Sequence, residues 1–320
     1  MNRCLIKKIS FQSTRRLFGK LSGGAAIILT ATWLPAHAAE PAACLDLQRA
    51  FSPKAELSSL QINVQLFRAA DLGCIGFART LLDAGASVEA RDRQGAMPLA
   101  HAARAGHLDL LRLLLAHGAA INARDLAGST ALFAAAENDR LAVLRELLEK
   151  GADANLPGRS GVTPLAAAAY RDNEQALALL LERGADPKIA DSTGKPPIMY
   201  AAALGFAPIV RRLLDAGVPV DARDGNELTA LMWAAGHADN AGSADAQATV
   251  ALLLDRGAAI DAADNRGRTA LMIAAERGHA AIVALLLTRG AAAGLRDKGG
   301  KTARDIAAND EVREKLPAKP

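Results

Sequence analysis

Gly106-His107-Leu108-Asp109-Leu110-Leu111-Arg112-Leu113-Leu114-Leu115-Ala116-His117-Gly118 sets a leucine stripe between two glycines. The leucines share one side of a helix of 3.6-residue period, and Gly118 is free to take the left-handed conformation that ends it. Just upstream, Met97-Pro98-Leu99-Ala100-His101-Ala102-Ala103 reads as another helix start. Pro98 at the first helical position sacrifices no hydrogen bond, and Leu99, Ala102 and Ala103 form an apolar stripe whose small alanines allow close approach. After Gly118 an extended stretch with a turn, Ile121 to Gly128, leads to the next helix.

The pattern recurs. Leu-Leu-x-x-Gly places its glycine at Gly85, Gly118, Gly151, Gly184, Gly217, Gly257 and Gly290, a spacing of 33 four times, then 40, then 33. A second column keeps that register: Met97-Pro98-Leu99, Thr130-Ala131-Leu132, Thr163-Pro164-Leu165, Pro196-Pro197-Ile198, Thr229-Ala230-Leu231, Thr269-Ala270-Leu271 and Thr302-Ala303-Arg304. Its threonines stand where a hydroxyl caps a helix start. Ordering one unit costs roughly 50 kcal/mol, and its leucine stripe stays exposed until a neighbour covers it. The reading is therefore an all-α solenoid of stacked helix pairs.

The unit resembles the ankyrin repeat. That family's D-x-x-G-x-T-P-L-x-x-A-A pattern, with G-H and L-L-x-x-G-A, is matched by Asp125 to Ala136 and Gly106 to Ala119, and the resemblance covers about residues 64–316. It implies seven repeats over 64–301 and a concave groove for a protein partner. Some positions depart from the pattern. The family's histidine after the leucine is replaced by Ala100, Phe133, Ala166, Met199, Met232 and Met272, which removes its inter-repeat hydrogen bond. The turn glycine becomes Glu227 in one repeat, and the turn aspartate gives way to Gly158. The first unit lacks the cap and the proline, so residues 39–63 are expected to cover it, with Leu45, Leu47 and Phe51 on a short helix. Residues 302–320 are expected to supply a C-terminal capping repeat and tail, with a first helix opening at Thr302.

The chain has 320 residues, 51% hydrophobic and 22% charged, enough to bury a core, while 3% aromatics is low for a sandwich or barrel. Its formal charge of +4 misleads. Six of the 38 basic residues fall in the first 38 positions with no acid, leaving 32 against 34 acidic residues, a net of −2, which argues against nucleic acid as a partner. Residues 1–38 read as a signal peptide: a basic start, an apolar run from Leu21 to Leu34, and Ala36-His37-Ala38 at the cleavage position. Thr14-Arg15-Arg16-Leu17-Phe18-Gly19-Lys20 is similar to a twin-arginine (Tat) signal, centred on Arg15 and Arg16. An ordinary Sec signal that happens to hold two arginines is the alternative. The apolar run is too short to span a bilayer. Export to the periplasm leaves two cysteines, Cys44 and Cys74, which in an oxidising compartment are expected to form one disulfide, the alternative being two unlinked thiols.

Reading the outward positions of each first helix gives the candidate partner surface. After signal removal the one Trp and both Tyr fall in these columns. Tyr170, Arg171, Tyr200, Leu204, Trp233 and His237 are the candidate contacts, of residue types that anchor interfaces; packing between repeats is the plainer reading of Tyr200 and Trp233. The seven extra residues of the 40-residue spacing fall between His237 and Asp245, where a mobile loop is expected. Gly294 to Thr302 mimics a phosphate-binding loop, but five residues rather than four separate Gly294 from Gly300. No histidine has ligands at metal spacing, and no catalytic pair emerges. The sequence thus points to a monomeric, non-catalytic protein-binding module without cofactor or metal, a scaffold, inhibitor or protective partner. The alternative is a small-ligand-binding protein or enzyme built on the same solenoid.

Overall fold

In the computed structural model, residues 41–51, 58–236 and 243–318 are described. The expected signal segment with Arg15, Arg16, Ala36 and Ala38 lies outside the described residues, as does His237. A lone helix, α1 (Ala42–Ala50), precedes seven helix pairs. They are α2 (Ser59–Leu72) with α3 (Ile75–Asp83), α4 (Pro98–Ala105) with α5 (Leu108–Ala116), α6 (Ala131–Glu137) with α7 (Leu141–Glu149), and α8 (Pro164–Tyr170) with α9 (Glu174–Glu182). Then follow α10 (Pro197–Ala203) with α11 (Ala207–Asp215), α12 (Ala230–Gly236) with α13 (Ser243–Asp255), α14 (Ala270–Arg277) with α15 (Ala280–Thr288), and the closing α16 (Asp310–Lys315). Among the described residues β pairing is confined to an isolated bridge between Arg223 and Thr229. No described helix is long and apolar enough to cross a membrane. The fold is an all-α repeat solenoid.

Each first helix packs on the first helix of the next pair, and each second helix on the next second helix. The contact is carried by two columns: Ala78, Leu111, Leu144, Leu177, Val210, Val250 and Val283, and three residues on, Leu81, Leu114, Leu147, Leu180, Leu213, Leu253 and Leu286. All fourteen are fully buried, each large member contributing about 1.5–3 kcal/mol. The threonine caps form as expected: the hydroxyls of Thr130, Thr163, Thr269 and Thr229 accept the amides of Phe133, Ala166, Met272 and Met232 at 3.1–3.4 Å. On the second-helix side, Arg112 clasps Glu146 with Nε at 3.0 Å and Nη2 at 2.7 Å. That hydrogen bond, outweighing the effect of burial, holds the Glu146 carboxyl below its ordinary value. The inter-repeat bond lost with the missing histidine has substitutes: His279 Nδ1 meets the Ala235 carbonyl at 2.8 Å, and His107 Nε2 that of Asp71 at 3.0 Å.

The ends differ from the sequence reading. Cys44 is buried and disulfide-bonded to Cys74, and Phe51 meets Phe77 edge-on at 5.3 Å. Leu47, one turn from Cys44, packs against the core. Leu45, about 100 degrees round the helix from Cys44, is 43% exposed and does not belong to the cover. At the other end Thr302 does not open a helix. The Asp305 carboxylate accepts its amide and hydroxyl at 3.0 and 2.9 Å, but the backbone makes only a turn over 303–306. Asn309 then caps α16. The inserted loop is also shorter than expected: Ser243-Ala244-Asp245 are the first turn of α13, which has thirteen residues against nine in α11 and α15.

The two turn departures have physical consequences. Glu227 holds φ at 66° where the other repeats use glycine, a conformation costing about 1 kcal/mol in a residue with a Cβ. Gly158 is needed for space rather than for φ: a Cβ there would lie 2.6 Å from Cγ of Phe133. The absent histidine and the absent aspartate are thus one paired change, the Phe133 ring occupying the room an aspartate at 158 needs. Gly158→Asp is expected to cost about 2 kcal/mol in urea denaturation, and less than about 1 kcal/mol when Phe133 is already alanine; equal costs in both backgrounds would refute the pairing. The disulfide closes a separation of 30 residues. Replacing both cysteines by serine is expected to lower unfolding free energy by about 3–4 kcal/mol, measured against the oxidised parent.

Candidate functional site

Where a repeat keeps its turn aspartate, that one residue organises the turn. Asp191 Oδ1 accepts the amides of Thr193 and Lys195 at 2.8 and 2.9 Å, and Asp224 Oδ1 those of Asn226 and Leu228 at 2.8 and 3.0 Å. Asp92, Asp125, Asp264 and Asp297 do the same in their repeats. The second carboxylate oxygen is left for the residue nine positions on, on the first helix. Tyr200 Oη donates to Asp191 Oδ2 at 2.5 Å, and Trp233 Nε1 to Asp224 Oδ2 at 3.0 Å. His101 Nε2 meets Asp92 Oδ2 at 3.0 Å. Where that position is the apolar Ile273, Arg268 takes the oxygen of Asp264 instead.

These bonds fix a cluster of rings. Tyr170 and Tyr200 meet edge-to-face with centroids 6.2 Å apart. Lys195, on the turn before α10, places Nζ 4.1 Å from the Trp233 ring centroid and 5.1 Å from that of Tyr200, within cation–π range of both. Arg171 reaches over Tyr170 at 5.9 Å. Tyr170, Lys195, Met199, Tyr200, Leu204 and Trp233 line an open cavity of about 470 Å³. Burial and then the Asp191 carboxylate push the Tyr200 hydroxyl well above its ordinary value. For Asp191, burial works against ionisation, but the Tyr200, Thr193 and Lys195 donors outweigh it and hold the carboxyl below its usual range. At neutral pH the pair is therefore a neutral phenol donating to a carboxylate.

Over residues 66–158, 125–191 and 165–242 the chain matches a three-copy ankyrin repeat model, over 253–307 a many-copy model, and over 226–265 a single-repeat model. The chain belongs to the ankyrin repeat family. A search of curated proteins finds no match. Ankyrin repeats generally mediate protein–protein interaction and are typically not enzymes.

On this ankyrin stack the candidate contacts Tyr170, Arg171, Tyr200, Leu204 and Trp233 come together on α8, α10 and α12 and the residues that end them. Tyr170 is 51% exposed, while Tyr200, Leu204 and Trp233 are half-buried. The outward column is not open throughout: Ala167 and Ile273 are buried. So is His101, held between Asp71 at 2.8 Å and Asp92 at 3.0 Å and tilted against Phe67. Lys195, Asp191 and Asp224 escape a reading that follows the helix columns alone, although the nine-residue interval repeats in the sequence. Gly294 to Thr302 forms the ordinary turn on Asp297. Among the described residues no three ligating side chains are grouped to hold a metal.

Tyr200→Phe is expected to cost about 1–2 kcal/mol in denaturant unfolding, because it removes a charge-assisted bond; Tyr170→Phe should stay within about 0.5 kcal/mol. The Asp191 carboxyl is depressed when folded, so its contribution is complete above the ordinary carboxylate value near 4 and fades as pH falls through the folded value. Without the Tyr200 donor the folded value lies closer to the ordinary one, so the contribution is smaller and is gone at a higher pH. Acid unfolding followed by circular dichroism should therefore move upward in pH in the variant; an unmoved profile would show that the bond is not made.

Proposed function

We propose that this chain is a periplasmic, non-catalytic ankyrin module that binds a protein partner through the groove at Tyr170, Arg171, Tyr200, Leu204 and Trp233, with His237 as a further contact. In this reading residues 1–38 are a Tat-type signal, 39–63 an N-terminal cap, 64–301 the seven repeats and 302–320 a C-terminal cap and tail. The protein acts as a monomer, needs no cofactor, and serves as a scaffold, inhibitor or protective partner. The observation that carries the reading is the aromatic cavity. Its rings are large, amphipathic and already held in place, so little conformational freedom is lost when a partner covers them. The Cys44–Cys74 disulfide favours an oxidising compartment. If the signal is of the twin-arginine type, the chain folds before export and a bound partner without its own signal crosses with it.

Crosslinking in living cells followed by capture from the periplasmic fraction tests this reading. The parent is expected to carry a protein that Tyr170→Ala with Trp233→Ala loses while the helical circular dichroism spectrum persists, and Arg15→Lys with Arg16→Lys should hold the chain in the cytoplasm. Capture indifferent to the aromatic pair would remove the groove from the mechanism, and export indifferent to the arginine pair would remove the Tat route.

A further inference from the structure

The chemistry of the groove narrows what it can hold. Two of its three rings have no polar group to offer, because the Tyr200 hydroxyl and the Trp233 indole N–H are already given to Asp191 and Asp224, while the exposed Tyr170 keeps its hydroxyl toward solvent. Asp191 and Asp224, beside these rings, are likewise committed: Asp191 Oδ1 alone meets two amides and the Thr193 hydroxyl, and Asp224 Oδ1 two amides. What remains is donors. Lys195 and Arg171 stand over the rings, and toward the N-terminal side Arg93, Arg104 and Arg159 line a second open cavity of about 480 Å³ beside Phe133 and Ala134. Arg159 is paired with Glu137 at 3.2 Å; among the described residues no carboxylate forms an ion pair with Arg93, Arg104, Arg171 or Lys195. The second cavity reaches Glu137 at the end of α6 and the first begins at Tyr170 at the end of α8, the next first helix in the stack. An apolar floor edged by donors calls for apolar side chains flanked by acceptors. From α4 to α12 there are four helix-to-helix steps of about 10 Å, the length of an extended segment of about twelve residues.

We propose that the groove from α4 to α12 takes an extended acidic peptide segment of the partner protein, with Asp or Glu carboxylates on Lys195, Arg171, Arg93 and Arg104 and a Leu-, Ile- or Phe-sized side chain in the cavity between Tyr170 and Trp233. The inference rests on the groove being the partner surface and adds the class of sequence it reads. A lysine between two rings is suited to this role: its ammonium is held over both aromatic faces and has three N–H donors, enough to serve a carboxylate as well.

A displayed library of random peptides of about twelve residues, selected on the immobilised full chain, provides the test. Selected sequences should be enriched in Asp and Glu next to a large apolar residue. A fluorescent copy of the commonest one should bind about tenfold more weakly to Lys195→Met, and again to Arg171→Met, both judged folded by circular dichroism. Enrichment of neutral or basic sequences, no enrichment, or affinity unchanged in both variants overturns the proposal. So does equal binding of the full chain to anionic phosphatidylglycerol vesicles, since the site would then read charge alone. Failure here is separable from failure of the groove: if the cellular partner is still lost with Tyr170→Ala and Trp233→Ala but kept by the Lys195 and Arg171 variants, the groove stands and its acidic preference falls.

Discussion

Burial between neighbouring repeats is the constraint on which the rest depends. A pair of helices, most of them of seven to nine residues, has too little interior to cover its own leucines, and the two columns that begin at Ala78 and Leu81 become dry only because the next pair lies against them. The period is therefore a packing requirement, and it is felt most at the ends, where one neighbour is missing. The first pair answers with α1, tied by Cys44 to Cys74 and seated by Phe51 on Phe77. The last answers with a single turn and α16, whose Val312 and Leu316 are buried.

The turn aspartate joins this scaffold to the surface it presents. One oxygen closes the turn on two amides, and the other holds a side chain on the helix that follows. A residue that would be needed for folding alone thereby also orients Tyr200 and Trp233. Because the turn fixes Lys195 as well, the ring faces and the cation between them are set by the same few hydrogen bonds. Removing such a bond disturbs turn and groove together, so the contribution of these residues to stability and to binding must be separated with conservative changes rather than with alanine.

How far the sequence discloses this follows from the type of contact. Stacking repeats every 33 residues, so Gly85 through Gly290, the threonine caps and the helix pairs are readable from columns. The aromatic cluster is readable too, because Tyr170, Tyr200 and Trp233 share outward positions on successive repeats. Relations between different columns are harder to see. Asp191 with Tyr200 and Asp224 with Trp233 lie on different elements, and His101 shares an outward column yet is drawn inward by two carboxylates. Phe133 and Gly158 depart from the family pattern in separate motifs, and only the 2.6 Å approach shows that they are one change. At the ends periodicity gives out: Leu45 and Thr302 match the repeat chemistry but lack the neighbour that would bury the one or extend the helix of the other.

The groove is uneven, and its unevenness follows from the same column. Ala134 and Ala167 are small and set its floor low, whereas Tyr200 and Trp233 raise a wall two repeats further on, and Ile273 closes it by packing inward. Along this surface one hollow lies over the alanines, edged by Arg93, Arg104 and Arg159, and a second lies at the rings, edged by Lys195 and Arg171. Tyr200 and Trp233, whose polar ends are already bonded, are held in place, so a partner covering them would have to supply much of the fit from its own side chains, which favours a segment that is extended and adaptable over a second rigid face. A preformed, donor-edged aromatic hollow in a chain whose residues 39–320 carry a net charge of −2 is a local exception to the chemistry of its own chain, and with this hollow as the partner surface, selectivity for one kind of sequence is what such an exception would provide.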